Sequence, residues 1–264
     1  MELKAHRAAW SGAHPENSLA ALRECYDERL ARVEIDFRFR DGDFIVAHDE
    51  PRRGASRPSL REALEVVRSW PSGPTLLMLD AKDDALWPWA RVEQIARLVE
   101  PVRDRIFIGS PADWNLRRLG KVDPALTVTF DPQYYLTWRA DGELPGRRGA
   151  YGYQDAHPLA LRRTVPTSDY LRERLDSLVR AVPGARELHL RLSFFERMLD
   201  DGLDVASYLH EAGTLVDVWT LDAGTPRWRA RLARALAAGV DIVTTNTPRE
   251  LAQASGPKAE SMNR

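Results

Sequence analysis

Cysteine is almost missing from this chain. Cys25 is its single thiol, so no intramolecular disulfide can form and a reducing compartment fits. Long hydrophobic runs are missing too. No stretch approaches the roughly 20 apolar residues that span a bilayer, so no stable membrane insertion is expected. Charge of one sign is also lacking: 38 Lys and Arg against 39 Asp and Glu leave a formal net charge of −1. Whole-chain electrostatics therefore give no reason to expect nucleic acid as a partner. The opening Met1-Glu2-Leu3-Lys4-Ala5 is too short and too charged for a secretory signal, and the expected location is cytoplasmic. No Gly-rich dinucleotide loop follows the first strand-like run, which counts against an open doubly wound sheet. Cys25 itself falls within an amphipathic helical pattern and reads as a buried core thiol rather than a nucleophile.

What the chain does have is alternation. With 264 residues, 44% of them apolar and 29% charged, it can bury a sizeable core. Strand-like runs (Leu3 to His6, Arg32 to Phe37, Asp43 to Ala47, Thr75 to Leu79, Arg105 to Ile108, Leu126 to Phe130, Glu187 to Leu192, Leu215 to Leu221, Asp241 to Thr244) are separated by helical patterns. Asn17 or Ser18 is placed to cap the first helix. Ser59 with Glu62 has capping-box spacing, and Asp41-Gly42 reads as a turn. Repeated β-then-α units predict a parallel sheet covered by helices, and about eight strands fit closure into a single-domain (β/α)8 TIM barrel, an α/β fold. The barrel is expected over residues 1–255, with 256–264 as a disordered tail. Residues 131–168, rich in Gly, Pro, Tyr and Arg, read as an extended barrel loop rather than a domain boundary. Its aromatics would either stack on a substrate or pin the loop to the barrel. The basic pairs Arg147-Arg148 and Arg162-Arg163 read as solvated surface.

Polar clusters stand where the early apolar runs end: His6-Arg7, Glu34-Ile35-Asp36, His48-Asp49 and Asp80-Ala81-Lys82. In a barrel, carboxyl ends of strands gather at one mouth. Glu34 and Asp36 are one residue apart, so on a strand both carboxylates share a face. Their mutual repulsion calls for a cation between them. Asp80 would supply a third oxygen. An all-oxygen set suits one divalent cation, Mg2+, Mn2+ or Ca2+, and suits Zn2+ poorly. His6 and His48 can transfer protons near neutral pH. Arg7 and Lys82 can neutralise phosphate oxygens, and Arg191, at a strand end, is a further candidate for an anionic head group. Each residue taken singly has a plainer reading as a strand-end or turn residue; the joint pattern favours a metal-dependent phosphodiesterase.

The ordered set His6-Arg7, His14-Pro15-Glu16-Asn17-Ser18, Glu34-Ile35-Asp36, His48-Asp49 and Asp80-Ala81-Lys82 resembles the glycerophosphodiester phosphodiesterase family, within the phosphatidylinositol-phosphodiesterase-like TIM barrels. Val218-Trp219-Thr220-Leu221-Asp222 and the run from Gly239 to Pro248 are similar to that family's last two strand motifs. The resemblance implies a barrel with one divalent metal on Glu34, Asp36 and Asp80, His6 and His48 as the acid–base pair, and Arg7 and Lys82 on the phosphate. It implies Trp219 lining the pocket, although core packing would serve Trp219 equally. Glu16, Asn17 and Asp49 would support the site.

Departures from the family pattern bear on substrate and chemistry. Ala8 stands where glycine is usual, Asp80 where Glu is usual, and Asn246 where Asp is usual. Asp in the third-ligand position is similar to the spider-toxin phospholipases D. Only Glu50 to Pro58 separates His48-Asp49 from the next helix, so this is a compact form lacking the usual inserted domain. The expected reaction is cleavage of a small glycerophosphodiester-like substrate. A lyase-type enzyme releasing a cyclic phosphate and a non-catalytic barrel that binds a phosphorylated metabolite are the rival readings. Head group, metal identity and oligomeric state are not legible at this level.

Overall fold

The computed structural model describes residues 1–52, 56–70, 73, 75–139 and 148–255; the 256–264 tail and Arg147 lie outside the described residues. The chain runs β1 (Glu2–Ala5), α1 (Leu19–Asp27), β2 (Arg32–Arg40), β3 (Asp43–Val46), α2 (Leu60–Ser69), β4 (Leu76–Ala81), α3 (Trp89–Val99), β5 (Ile106–Ser110), α4 (Asp113–Val122) and β6 (Val128–Phe130). A long connection carries a small hairpin, β7 (Leu136–Thr137) with β8 (Gln154–Asp155). Then come α5 (Thr167–Ala181), β9 (Glu187–Arg191), α6 (Leu192–Asp200), α7 (Val205–Glu211), β10 (Leu215–Trp219), α8 (Trp228–Ala237), β11 (Ile242–Thr245) and α9 (Pro248–Ser255).

The sheet order β1-β11-β10-β9-β6-β5-β4-β2, with β1 also paired in parallel to β2, closes eight parallel strands into a ring. β3 folds back antiparallel on the outer end of β2 and stays outside the ring. The turn between them has positive φ at both Asp41 (49°) and Gly42 (90°), as a two-residue hairpin turn requires. The helix starts follow their capping residues. Ser18 accepts a hydrogen bond from the Ala21 N–H, and Ser59 and Glu62 form the full capping box. Between β9 and β10 lie two helices, α6 and α7, separated by Gly202 at φ 85°.

Strand periodicity sorts the core into two layers. Val33, Ile35 and Phe37 of β2 and Leu77, Leu79 and Ala81 of β4 are buried in the apolar layer under the helices. The alternate residues face the barrel axis, and many are charged. Deeper in the barrel, below the mouth, Lys4 donates to Asp217 Oδ2 (2.5 Å) and Glu187 Oε2 (3.1 Å), and Arg32 pairs with the other Glu187 oxygen. His189 Nε2 lies 3.1 Å from Glu187, and the Thr244 hydroxyl donates to Asp217. Burial alone would push Lys4 down, but Asp217 and Glu187 hold it above its ordinary value. Burial would push Glu187 up, and Lys4, His189 and Arg32 hold it well below the carboxylate range. Two cations therefore balance two carboxylates inside the barrel. Gly109 leaves room beside them for Met78 Cε and Thr129 Oγ1, which a Cβ there would displace.

The long connection after β6 is pinned rather than loose where it is described. Asp155 accepts from Tyr170 Oη (2.6 Å) and Arg174 Nε (2.5 Å) of α5, and Tyr151 stacks on Tyr170 at 4.0 Å between centroids. Tyr153 donates to Asp201 (2.7 Å) beyond α6. Of the loop's two expected uses for aromatics, Tyr151 and Tyr153 perform the second.

Because Lys4 is 1% exposed, removing its charge strands two buried carboxylates. Lys4→Met is expected to destabilise the fold by about 3–5 kcal/mol in urea unfolding; a loss below about 1 kcal/mol would show that the interior charges are not coupled in this way.

Candidate active site

β2 and β4 lie side by side in parallel register, Glu34 against Met78 and Asp36 against Asp80. That register brings carboxylates far apart in the chain to the same level of the barrel mouth. Ligand oxygens of Glu34, Asp36 and Asp80 lie within 4.8 Å of one another. Lys82, two residues past Asp80, places its ammonium 2.5 Å from Asp80 Oδ2 and 2.9 Å from Asp36 Oδ1. Burial and the neighbouring Asp36 push the Glu34 carboxyl well up. Burial pushes Asp36 the same way, but Lys82 and the Asn17 amide outweigh it and hold Asp36 below its ordinary value. Lys82 is held far above its usual range: burial lowers it, and Asp80, Asp36 and Glu34 raise it more.

The residues present fit a hard divalent ion. Three carboxylates share one small volume, and Glu34 Oε1 is a buried oxygen without a hydrogen-bond partner. The rest of Glu34 is fixed: its Oε2 accepts the Arg7 backbone N–H at 2.6 Å. Asn17 clasps Asp36 twice, donating Nδ2–H to Oδ2 (2.7 Å) and accepting the Asp36 backbone N–H on Oδ1 (2.9 Å). The helix cap falls to Ser18, which frees Asn17 for this clasp. Arg7 lies 3.3 Å from Asp36 and donates to Glu16 at 3.1 Å.

The turn that presents His6 and Arg7 is backbone-strained. Arg7, Ala8 and Asn17 all have φ near 55°, a region that side-chain-bearing residues rarely adopt. Ala8 thus occupies a left-handed position, which accounts for glycine being usual there. The turn is backed by Cys25, whose thiol donates to the Ala8 carbonyl at 3.2 Å and is pushed up to about 12 by burial. That thiol is a packed core group, as its helical pattern suggested.

His6 carries a defined tautomer. Asn246 donates its amide to Asp222 Oδ2 (2.8 Å), so its Oδ1 faces His6 Nδ1 at 2.6 Å and must accept. Nδ1 holds the proton, and the bare Nε2 points toward Glu34, 3.9 Å from Oε2. Burial, with Arg7 adding to it against the Asn246 hydrogen bond, lowers the His6 pKa and favours the neutral ring. His48 sits across the mouth, more exposed, with Nδ1 2.7 Å from the Asp49 carboxylate.

These groups line one cavity of about 670 Å³. His6, Arg7, Glu16, Glu34, His48, Asp80, Lys82, Arg191 and Trp219 all border it, while Asp36 and Asn17 lie behind Arg7 and Lys82. Arg191 stacks its guanidinium 4.3 Å above the Trp219 ring, so Trp219 is pocket wall rather than core. A second, more open hollow of about 410 Å³ lies outside the barrel between α6, α7 and α8 and holds no such carboxylate set. Asp131 and Arg38 escape sequence reading, whereas Tyr134 belongs to the loop aromatics already noted. Asp131 faces the cavity from the end of β6 and is pushed up to about 7 by burial. Tyr134 stacks on Trp114 and donates to Asp84 at the rim. Arg38 follows Asp36 on the same strand face and could have been found by extending the alternation of Glu34 and Asp36.

No protein-family model and no curated protein matches this chain. Solved structures do. A glycerophosphodiester phosphodiesterase from Parabacteroides distasonis superposes with TM-score 0.66 at 17% identity, covering 98% of each chain. A phosphodiesterase from Oleispira antarctica, solved with the product sn-glycerol-3-phosphate, gives 0.59 at 18% identity over 96% of each chain. A glycerophosphodiester phosphodiesterase from Agrobacterium tumefaciens gives 0.59 at 17% over 94% of this chain and 97% of that one. The chain has the same closed barrel as these enzymes across essentially its whole length.

Replacing Asn246 by Asp would set a carboxylate against His6 Nδ1–H. The His6 titration followed by imidazole NMR is expected to move upward by about one pH unit or more; no movement would contradict the hydrogen-bond chain from Asp222 through Asn246 to His6.

Proposed function

We propose that the chain is a divalent-metal-dependent phosphodiesterase of the glycerophosphodiester phosphodiesterase family, a phosphoric diester hydrolase acting on a small phosphodiester. The observation that carries this reading is the meeting of His6, Glu34, Asp80, Arg7 and Lys82 in one cavity at the carboxyl end of the barrel, with the Asp36 carboxylate directly behind them. The shared barrel and the product complex of the Oleispira antarctica enzyme support it.

In this reading Glu34, Asp36 and Asp80 hold one Mg2+, Mn2+ or Ca2+, with Asn17 and the Arg7 backbone fixing two of them. The bound cation would draw charge from a non-bridging phosphate oxygen. Lys82 and Arg7 neutralise the remaining oxygens as charge builds on them. His6, neutral and with Nε2 bare, takes the proton from the attacking hydroxyl. The new P–O bond forms as the bond to the alcohol breaks, and His48 returns a proton to the departing oxygen. Water as nucleophile yields a phosphomonoester; a neighbouring substrate hydroxyl yields a cyclic phosphate. Trp219 and Arg191 form the wall that receives the alcohol or head group. A barrel that only binds would have no use for the unpaired Glu34 oxygen or the aligned His6 tautomer. Cytoplasmic location belongs to the same reading, supported by the single buried Cys25; no helix among the described residues is long and apolar enough to cross a membrane.

Hydrolysis of bis(p-nitrophenyl) phosphate is expected with added Mg2+, Mn2+ or Ca2+ and to vanish with EDTA. His6→Ala is expected to lower kcat by about 10²–10⁴-fold. Activity indifferent to EDTA would remove the metal from the mechanism, and full activity in His6→Ala would remove the base.

A further inference from the structure

His48 stands on a weak footing compared with His6. It lies two residues past the end of β3, in the short segment that leads to α2. Its ring partner, Asp49, is 90% exposed, so solvent screens that pair and neither side chain is locked by packing. Ahead of it, the Val46 and Ala47 amides are tied to Pro58 and Asp36 carbonyls. At His48 itself the anchor is different. Arg38, half-buried on β2, donates Nε–H to the His48 backbone carbonyl at 2.7 Å.

The placement follows from strand geometry. Arg38 shares the face of Glu34 and Asp36 by the two-residue period, and its backbone pairs with Ile45 of β3. Its guanidinium therefore reaches over the end of β3 to the segment beyond. A charge-assisted hydrogen bond to a carbonyl is among the stronger single anchors a loop can have. Asp49 and Asp83 both lie close enough to feel the Arg38 charge, so the guanidinium sits among carboxylates from two loops.

We propose that Arg38 is the positioning residue for His48, binding the carbonyl that orients the second histidine toward the cavity. The proposal rests on the phosphodiesterase reading for its kinetic consequence, not for its structural one. Among the described residues, the Val46 and Ala47 amides hold the chain before His48 and the Arg40–Glu50 ion pair (3.3 Å) holds it after, while Arg38 supplies the constraint at His48 itself, from the strand that carries Glu34 and Asp36. Because Arg38 also borders the cavity, direct contact with the substrate is the alternative the test must separate.

Two measurements on the full chain decide it. In the first, Arg38→Met and Arg38→Lys are assayed on bis(p-nitrophenyl) phosphate and on glycerophosphoethanolamine. A p-nitrophenolate leaves without help, whereas an alkoxide needs the proton from His48. Arg38→Met is expected to lose about 10- to 100-fold in kcat on the alkyl substrate, the scale of an ångström misplacement, with KM little changed and the nitrophenyl ester much less affected. Arg38→Lys is expected to recover part of the loss. Equal losses on both substrates, or a loss carried by KM, would overturn the proposal. The second measurement needs no activity: imidazole NMR of 15N-histidine-labelled protein. In Arg38→Met the His48 ring signals are expected to shift or broaden while those of His6 stay in place. Unchanged His48 signals in a folded variant would overturn the proposal. Wild-type protein inert on both substrates would instead refute the phosphodiesterase reading, with the NMR result still deciding the role of Arg38.

Discussion

Charge balance inside a closed ring is the constraint on which the rest of this structure depends. Eight parallel strands turn half of their side chains toward the axis, and here those side chains are largely ionic. In the deeper layer the balance is complete, with Lys4 and Arg32 against Glu187 and Asp217. At the carboxyl end it is not. Glu34, Asp36 and Asp80 crowd together with Lys82 and Arg7 beside them, and one Glu34 oxygen stays buried and unpaired. Under the proposed function, the unbalanced end is where a cation and an anionic substrate would gain most by entering, because charges interact strongly in a poorly solvated space.

The two histidines are prepared differently. His6 is set by a chain of hydrogen bonds, Asp222 to Asn246 to its ring, at distances of 2.6–2.8 Å. That chain fixes the tautomer, while burial, against the Asn246 hydrogen bond, favours the neutral ring beside the carboxylates. His48 is set through its backbone on a short segment and stays more open to solvent. Under the proposed function, a half-buried neutral base and a more exposed proton donor would divide the labour of displacement at phosphorus. The Asn in place of the usual Asp belongs to this picture: an amide orients the ring without adding the negative charge that would raise its pKa.

Much of the site could be read from the chain because strand ends and the two-residue period carry it. His6, Glu34, Asp36, Asp80 and Lys82 stand at strand ends or alternate along them, and their order is the family's order. The capping box at Ser59 and the turn at Asp41-Gly42 were legible for the same reason, since both are local. Arg38 obeys the same period but was hidden by lying beyond the motif. Asn246 was visible only as an unexplained departure. Asp131 and the Lys4–Arg32–Glu187–Asp217 network had no local signal, because the groups around them come from other strands.

Sequence by itself determined the α/β alternation, the barrel expectation and the inventory of chemical groups, since those follow from periodicities of two and 3.6 residues acting over short stretches. Tertiary structure alone decided which groups meet. The register of β2 against β4 sets Asp36 beside Asp80, closure of β1 onto β11 brings His6 to Asn246, and the fold of β3 onto β2 lays Arg38 under His48. Each of those meetings depends on how strands align across the ring, and alignment is settled by the burial of the whole apolar layer rather than by any one segment.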